Sequence, residues 1–458
     1  MARGGEERRL TFPGLLAATF FIVSGGPYGL EEVVSGRGYG GTVALLLLLP
    51  FVWSLPVALS VGELAAALPA TGGYYTWVRR ALGPFLGVQA AWLYLSVTIF
   101  DLAIYPAMFV AYLSRPWPAL AGVEVGSLGW ALALAMIASG AAWNLLGIRT
   151  VGRASEGLGV LVLAPFAAMV VLAALRFPSG GGARLAAALA ERPPADPSGL
   201  AAALLVAMWN FMGWDNTSTF AGEVERPQRS YPRAMVAGVV LVSLCYLLPV
   251  LAAASTGMPS GPWTTGTWVD AAERLGGPLL GALSVVGGAA TVVAMFVAIL
   301  LFWSRIPVAL AQDGFLPGRL ARRSERTGAP ALSVVLGGLS CALVVGLGLR
   351  RLVEIDVLLY GAGLSLELLS LVALRLREPD LPRPYRVPGG IPGVAGAALL
   401  PIALLAFAGW ESRDEPGALG LSAVGFAALV ASVGPVWYLA RYRAARAAPP
   451  ARREVESP

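Results

Sequence analysis

Histidine and lysine are both absent from this chain of 458 residues, so all 33 basic residues are arginines. Without histidine, a group that carries a proton must be an Asp, a Glu, a Tyr or a chain terminus. Only two cysteines occur, Cys245 and Cys341, and both lie inside apolar runs. No spacing typical of a disulfide framework or a metal site is present. We therefore expect no cofactor and no bound metal.

Charge is scarce as well. Charged residues make up 13% of the chain, against roughly a quarter in soluble proteins. Hydrophobic residues make up 57%, and apolar runs of about 20 residues, enough to cross a bilayer core of ~30 Å, separate the charged clusters. Every backbone amide in hydrocarbon needs an internal partner, so such runs form helices. Runs such as 42–51 do not alternate as barrel strands would. The composition predicts an all-α membrane protein.

Twelve segments are apolar enough to span a membrane. Their approximate bounds are 12–36, 42–68, 84–113, 127–146, 155–175, 198–222, 234–256, 277–304, 331–349, 352–374, 393–410 and 418–440. The distribution of arginine places both termini in the cytoplasm. No cleavable signal peptide is expected, and the protein is predicted to be a multi-pass protein of the cytoplasmic (plasma) membrane. The basic tail suits a lipid surface rather than nucleic acid.

Two of these segments are interrupted by residues that disfavour a helix. The first reads TFFIVSGGPYGLEEVV, with Gly25, Gly26 and Pro27 at its centre. The sixth reads MWNFMGWDNTSTFAGEVE, in which polar or helix-weak residues follow Gly213. Gly and Pro open the helical hydrogen-bond ladder, and unwound backbone at membrane depth survives only where it is buried or lines a cavity. Breaks five segments apart predict an inverted-repeat transporter; the alternative is that the glycines serve close helix packing.

Acidic residues inside or beside the predicted spans form a second group of candidates. They are Glu31, Glu32, Glu63, Asp101, Asp215 and Glu367. A charged side chain at the bilayer centre costs ~2.5–3.5 kcal/mol on insertion scales, and few arginines lie at these depths. A cationic solute, a proton or a metal ion could supply the missing charge. The candidates for a coupling proton are Asp215, Asp101, Glu31 and Glu367. For Glu63, the alternative is a structural ion pair with Arg79 or Arg80.

Aromatic residues near the breaks could enclose an alkylammonium group by cation–π contact. They are Tyr28, Tyr105, Trp209, Trp214 and Tyr360. The alternative for each is packing or anchoring at the membrane interface. Trp209, about one turn before the second break, is the strongest candidate for contact with a solute.

Four stretches resemble the amino acid–polyamine–organocation transporter superfamily. They are SGGPYGLEEVV, LPATGGYYTWVRRALGPFLG, WNFMGWDNTSTFAGEVERPQRSYPRAM and LREPDLPRPYRVPGG, and spacing and order agree from about residue 11 to 440. The closest likeness is to the polyamine uptake and L-type amino acid permease-like branch. The resemblance implies a LeuT-like core of five plus five helices in inverted repeat, two peripheral helices, alternating access, and a site between helices one, three, six, eight and ten. The predicted divisions are a tail 1–11, repeats 12–175 and 198–374, peripheral helices 393–440 and a tail 441–458.

The resemblance also suggests roles for single residues. In members of the superfamily, backbone amides of the first break hold a substrate carboxylate. That role falls on residues 24–26 here, but Pro27 follows them and lacks an N–H. This departure, together with the acid at Glu31, favours an amine over an ordinary amino acid. The resemblance assigns gating to Trp209 and acid coupling to Asp215, while the helix-five lysine of some proton-coupled relatives has no counterpart.

These features predict a secondary transporter, not an enzyme, that imports a polyamine or related organic cation and couples to protons rather than sodium. The predicted substrate-binding residues are Gly25, Gly26, Pro27, Tyr28, Glu31, Asp101, Tyr105, Trp209, Trp214, Asp215 and Tyr360. The first alternative is an amino acid permease or exchanger on the same scaffold. An intramembrane enzyme is disfavoured by the lack of histidine, and a solute-sensing receptor because no soluble signalling domain is visible.

Overall fold

The computed structural model describes residues 11–69, 73–146, 148–191, 197–216, 224–261, 263–312 and 316–447. Within those ranges the chain forms helices and no strand, and one isolated bridge joins Pro416 to Ser422. The helices up to the second break are α1 (Phe12–Val23), α2 (Glu31–Leu49), α3 (Leu55–Ala67), α4 (Gly73–Leu82), α5 (Pro84–Ser114), α6 (Leu128–Leu145), α7 (Ile148–Arg176), α8 (Gly182–Ala190) and α9 (Pro197–Asn210). Those after it are α10 (Pro227–Ala254), α11 (Trp268–Trp303), α12 (Arg305–Gln312), α13 (Ala331–Val344), α14 (Leu349–Arg377), α15 (Gly390–Glu411) and α16 (Ala423–Ala447).

Nine helical segments of the described chain are long and apolar enough to cross a membrane. Three shorter apolar helices accompany them, namely Phe12–Val23, Gly199–Asn210 and Ala331–Leu347. Large apolar side chains such as Leu343 and Leu279 face outward, 85% and 73% exposed, as a lipid-facing surface requires. The all-α membrane fold is confirmed, whereas the number of twelve spans stays a prediction.

The helices pack with an internal two-fold relation. α1 packs on α10, and α9 correspondingly packs on α2, while α5 packs on α14 and α11 on α7. Exchanging the five spans of the first repeat with those of the second turns the α1–α10 pair into the α9–α2 pair. The same exchange turns the α5–α14 pair into the α11–α7 pair. α5 and α11, which exchange with each other, are also in contact. This arrangement brings both interrupted helices into one interior beside α5 and α14.

Two glycines bend long helices without a loop. Gly38, with φ 66°, lies inside α2, so the boundary expected between the first two spans is a bend rather than a separate loop. Gly277, with φ 75°, bends α11 next to Pro278. Glycine adopts positive φ at little cost because it has no Cβ. The chain can therefore change direction within a single residue at both places.

Candidate functional site

The first predicted break lies between α1 and α2. Gly26 and Gly29 have φ of 93° and 95°, a backbone conformation that residues other than glycine rarely adopt. The Gly26 N–H donates to Ser24 Oγ at 3.2 Å. The Pro27 carbonyl accepts from Trp268 Nε1 of α11 at 2.9 Å. The helix is therefore interrupted where the sequence predicts, and α11 holds the interruption inside the protein.

Glu31 fastens this break to two other elements. Its fully buried carboxylate accepts hydrogen bonds from the Gly29 N–H at 2.7 Å, the Tyr112 hydroxyl at 2.6 Å and the Gly266 N–H at 2.9 Å. Tyr28 packs edge-on against Tyr112, with ring centroids 5.2 Å apart. The Glu31 carboxylate thus has three protein donors, whereas the buried Tyr28 hydroxyl has no hydrogen-bond partner among the described residues. Binding of a solute by either residue stays a prediction.

The second break begins where α9 ends, and it faces the first. Gly213 has φ of 93°, and a Cβ on it would lie 3.3 Å from the carbonyl oxygen of Ile22 in α1. A Cβ on Gly29 would lie 2.8 Å from the ring of Trp209. The backbones of the two breaks are thus in direct proximity. The remainder of the predicted break, 217–223, lies outside the described residues.

Trp209 brings three predicted residues together. Its Nε1 donates to Asp101 Oδ1 at 3.4 Å, and the Tyr105 hydroxyl donates to the same oxygen at 3.2 Å. The rings of Trp209 and Tyr105 are tilted, with centroids 6.5 Å apart. Two donors and two aromatic rings therefore surround one face of a carboxylate from α5. Such an arrangement can accept an ammonium group at the carboxylate and over the rings.

Asp215 and Tyr360 form a second predicted group around the break. The Tyr360 hydroxyl, from α14, donates to Asp215 Oδ1 and accepts from the Gly213 N–H at 3.1 Å. Asp215 is fully buried. One side chain of α14 thus fixes both the backbone and the carboxylate of the interrupted helix.

Tyr94 and Glu367 extend this group between α5 and α14. The Tyr94 hydroxyl donates to Glu367 Oε1, and the Tyr94 ring meets Tyr360 edge-on with centroids 6.0 Å apart. Tyr74 stacks on Tyr94 at 3.9 Å. The two tyrosines Tyr94 and Tyr74 were not predicted. Tyr94 precedes Asp101 by seven residues, which places both on one face of α5 and could have revealed it.

Asp356 was also missed by the sequence reasoning. It lies one turn before Tyr360 on α14, is 1% exposed, and accepts no hydrogen bond from any described residue at either oxygen. It is close enough to Asp101 for their charges to interact. Across the described chain, no arginine forms an ion pair with Asp101, Asp215, Asp356 or Glu367. We call these four residues the acidic column.

Two other predicted residues serve packing in this structure. A Cβ on Gly25 would lie 3.0 Å from Thr291 Cγ2, so the break approaches α11 closely. Trp214 is fully buried, and its Nε1 donates to the Phe211 carbonyl at 2.8 Å. Its ring lies against Gly238 of α10. A role for either in binding stays a prediction.

Comparison with known proteins decides the family. A family model described as amino acid permease matches residues 15–433. The chain belongs to the amino acid permease family. This permease is 34% identical to polyamine transporter PUT1 of Oryza sativa subsp. japonica, over 88% of this chain and 73% of that protein. It is 30% identical to polyamine transporter RMV1 of Arabidopsis thaliana, over 87% and 80%.

The fold of the permease also has a solved counterpart. The structure of MhsT in complex with L-phenylalanine superposes with a TM-score of 0.64 at 14% identity, covering 89% of this chain and 100% of that chain. This likeness concerns the fold alone, and it confirms the LeuT-like architecture. The family model and the polyamine transporter relatives confirm the resemblance to the amino acid–polyamine–organocation superfamily. The permease is a multi-pass membrane transporter.

Glu63 of the permease has different partners from those predicted. Its carboxylate is fully buried and binds Arg375 in a bidentate pair, at 2.6 Å and 2.7 Å. It also lies 3.4 Å from Arg383 and accepts from the Val387 N–H at 2.7 Å. The predicted pairing with Arg79 or Arg80 is wrong, because the loop after α14 folds back onto α3.

A cavity leads to Trp209 from the outer end of the permease, as the predicted orientation defines it. It has a volume of about 170 Å³, and Gly29, Glu32, Trp209 and Arg350 are among its lining residues. Arg350 is held by Glu354 at 2.9 Å and by Glu415 at 2.7 Å. Trp209 thus separates this cavity from Asp101. The described residues contain no group of three His, Cys, Asp or Glu side chains arranged to hold a metal ion.

Proposed function

We propose that the permease imports a polyamine or a related organic cation across the cytoplasmic membrane, with both termini in the cytoplasm, and that a proton moves with the solute. The observation that carries this proposal is the acidic column. Its four carboxylates lie in the interior beside the breaks, and no arginine of the described residues is paired with them. An ion moved from water to a protein interior loses several kcal/mol of solvation unless another charge compensates.

Only a proton or a cation can compensate that loss here. A zwitterionic amino acid brings a carboxylate for every ammonium group and leaves the column unbalanced. A polyamine brings two or more positive charges on a thin apolar chain. Its ammonium groups can pair with carboxylates while its methylenes lie on rings such as those of Trp209 and Tyr105. The names of the relatives PUT1 and RMV1 support the same substrate class.

In this proposal the coupling proton is carried by two members of the acidic column, Asp215 and Glu367. Asp215 and Glu367 are each hydrogen-bonded by a tyrosine hydroxyl, and their charges interact with each other. One oxygen of each acid lacks a partner among the described residues, and a proton on either acid would remove the cost of burying its charge. Trp209 would close over the solute while Asp101 holds an ammonium group. Rocking of the interrupted helices against α5 and α14 would then alternate access.

Uptake into proteoliposomes tests the proposal. Radiolabelled putrescine and spermidine should accumulate when the lumen is alkaline relative to the bath, and a protonophore should abolish the accumulation. Asp215→Asn should lose gradient-driven uptake. Asp380→Asn, the same chemical change at an exposed position of the loop after α14, should keep it. Uptake of amino acids but not polyamines would establish the alternative function, an amino acid permease or exchanger. Uptake of neither under any gradient would refute both.

A further inference from the structure

Asp356 is a buried carboxylate that has no partner in the part of the chain that the structure describes. Its exposed fraction is 1%, and both of its oxygens lack a hydrogen bond from the described residues. A buried hydrogen-bond acceptor without a donor lowers the stability of the fold by about 1–3 kcal/mol, and by more when it is charged. The two arginines at the start of α14 do not neutralise it: Arg350 is already engaged by Glu354 and Glu415, and Arg351 is exposed and forms no ion pair with Asp356. A stable fold therefore needs something else at Asp356.

Asp356 does not stand alone, because Asp101 lies on α5, and α5 and α14 pack on each other. The charges of the two acids interact, and the Tyr105 hydroxyl that donates to Asp101 is also within electrostatic reach of Asp356. Trp209, from α9, donates to the same oxygen of Asp101 as Tyr105 does. Two carboxylates, a phenol and an indole from three helices thus converge on one point. The oxygens of Asp356 are the acceptors of this group that have no donor among the described residues.

We propose that Asp101 and Asp356 together bind one ammonium group of the transported cation and that this pair rejects solutes that carry a carboxylate. The inference rests on the proposed function and names the residue that sets its specificity. An ammonium group has three donors and one positive charge, which suit two carboxylates. A carboxylate brought to the same place would meet two negative charges in a medium that screens them poorly.

Putrescine and ornithine form a matched pair of test solutes, since ornithine is putrescine with one added carboxylate. In the wild type, ornithine should inhibit putrescine uptake poorly. Asp356→Asn keeps the shape and removes one charge. It should raise the KM for putrescine roughly 10- to 100-fold, the range expected for a lost charged hydrogen bond, with little change in maximal rate. It should also lower the preference for putrescine over ornithine at least tenfold. Asp356→Glu should recover much of both.

Three results separate the possible outcomes. If the wild type takes up no polyamine, the proposed function fails first. If the wild type transports putrescine and Asp356→Asn keeps both its KM and its preference over ornithine, the carboxylate pair is not the ammonium site. Asp380→Asn serves as the control that should change neither value. A purely structural role would lower the yield of folded protein or the maximal rate without changing the preference.

A second measurement covers the case in which Asp356→Asn does not fold. A hydrophobic carbodiimide modifies buried carboxyl groups, and mass spectrometry of the wild type reports modification at Asp356 and Asp101. Putrescine should protect both positions, whereas ornithine at equal concentration should protect neither. Modification that putrescine leaves unchanged at Asp356 would overturn the proposal.

Discussion

Replacing Glu63 by Gln removes a single charge from the cytoplasmic end of the permease, as the predicted orientation defines it. The carboxylate lies between Arg375 and Arg383, whose side chains are 10% and 2% exposed. It also accepts the Val387 N–H. One side chain of α3 therefore holds both the end of α14 and the loop that follows it. An amide in place of this carboxylate keeps one hydrogen bond but not the charge.

The expected cost follows from this burial. Breaking a buried ion pair by removing one partner costs roughly 3–5 kcal/mol, because the remaining charges stay desolvated and unpaired. The pair of Arg80 and Glu378, 2.6 Å apart, is a matched control because its side chains are 47% and 33% exposed. An exposed pair of this kind is worth about 0–1 kcal/mol. Glu63→Gln should thus destabilise the protein several times more than Glu378→Gln.

Thermal denaturation of the purified protein in detergent measures this difference. Glu63→Gln should lower the midpoint by several degrees more than Glu378→Gln. The hydrogen bond from Arg80 lowers the pKa of Glu378. A group with a lowered pKa contributes stability above its ordinary range and loses it as the pH falls through the folded-state pKa. A scan at pH 7 therefore stays above the pH range in which Glu378 loses this contribution. Equal shifts in the two variants, or an unchanged midpoint for Glu63→Gln, would refute the assignment of Glu63 as a buried anchor.

Two further substitutions test the geometry of the breaks. Tyr360→Phe removes the hydroxyl that bonds both Asp215 and the Gly213 N–H. A buried polar group without a hydrogen-bond partner costs ~1–3 kcal/mol, so the initial rate of putrescine uptake per folded molecule should fall about tenfold. A wild-type rate would contradict this role. Gly29→Ala places a Cβ 2.8 Å from the Trp209 ring at φ 95°, whereas Gly83→Ala has the same φ and nothing within 4 Å. Uptake should therefore fall much further for Gly29→Ala than for Gly83→Ala, and equal losses would show that the ring contact is unimportant.

The interruptions were predictable because their causes are local. Gly26 and Gly213 lie in runs whose composition alone cannot sustain a helix, and both have positive φ in the structure. The proximity of Asp101 to Trp209 was not predictable in the same way. It depends on how α5 crosses α9, which no spacing along either helix records.

The two failures have separate physical reasons. The partner of Glu63 is Arg375, 312 positions away, and a long-range ion pair leaves no periodic signal in the sequence. Asp356 was missed because it falls near the predicted start of a span, where an acid can reach water. In the structure α14 begins three residues earlier, at Leu349, and Asp356 is buried against α5. The position of Tyr360 one turn later was the signal that could have identified it.

The residues of the proposed site lie on two kinds of helix, continuous helices and an interrupted one, and this difference links solute binding to movement in the proposed mechanism. Asp101 and Asp356 project from α5 and α14, which are long helices packed on each other, so the distance between their charges is fixed by helix packing. Trp209 and Asp215 stand at the end of an interrupted helix, where few backbone hydrogen bonds resist movement. A cation that neutralises the fixed pair removes the repulsion that its carboxylates exert on neighbouring charge. In the proposed mechanism the interrupted helix then approaches or leaves at lower cost, so that solute binding and helix movement are linked through Asp101, Asp356, Trp209 and Asp215.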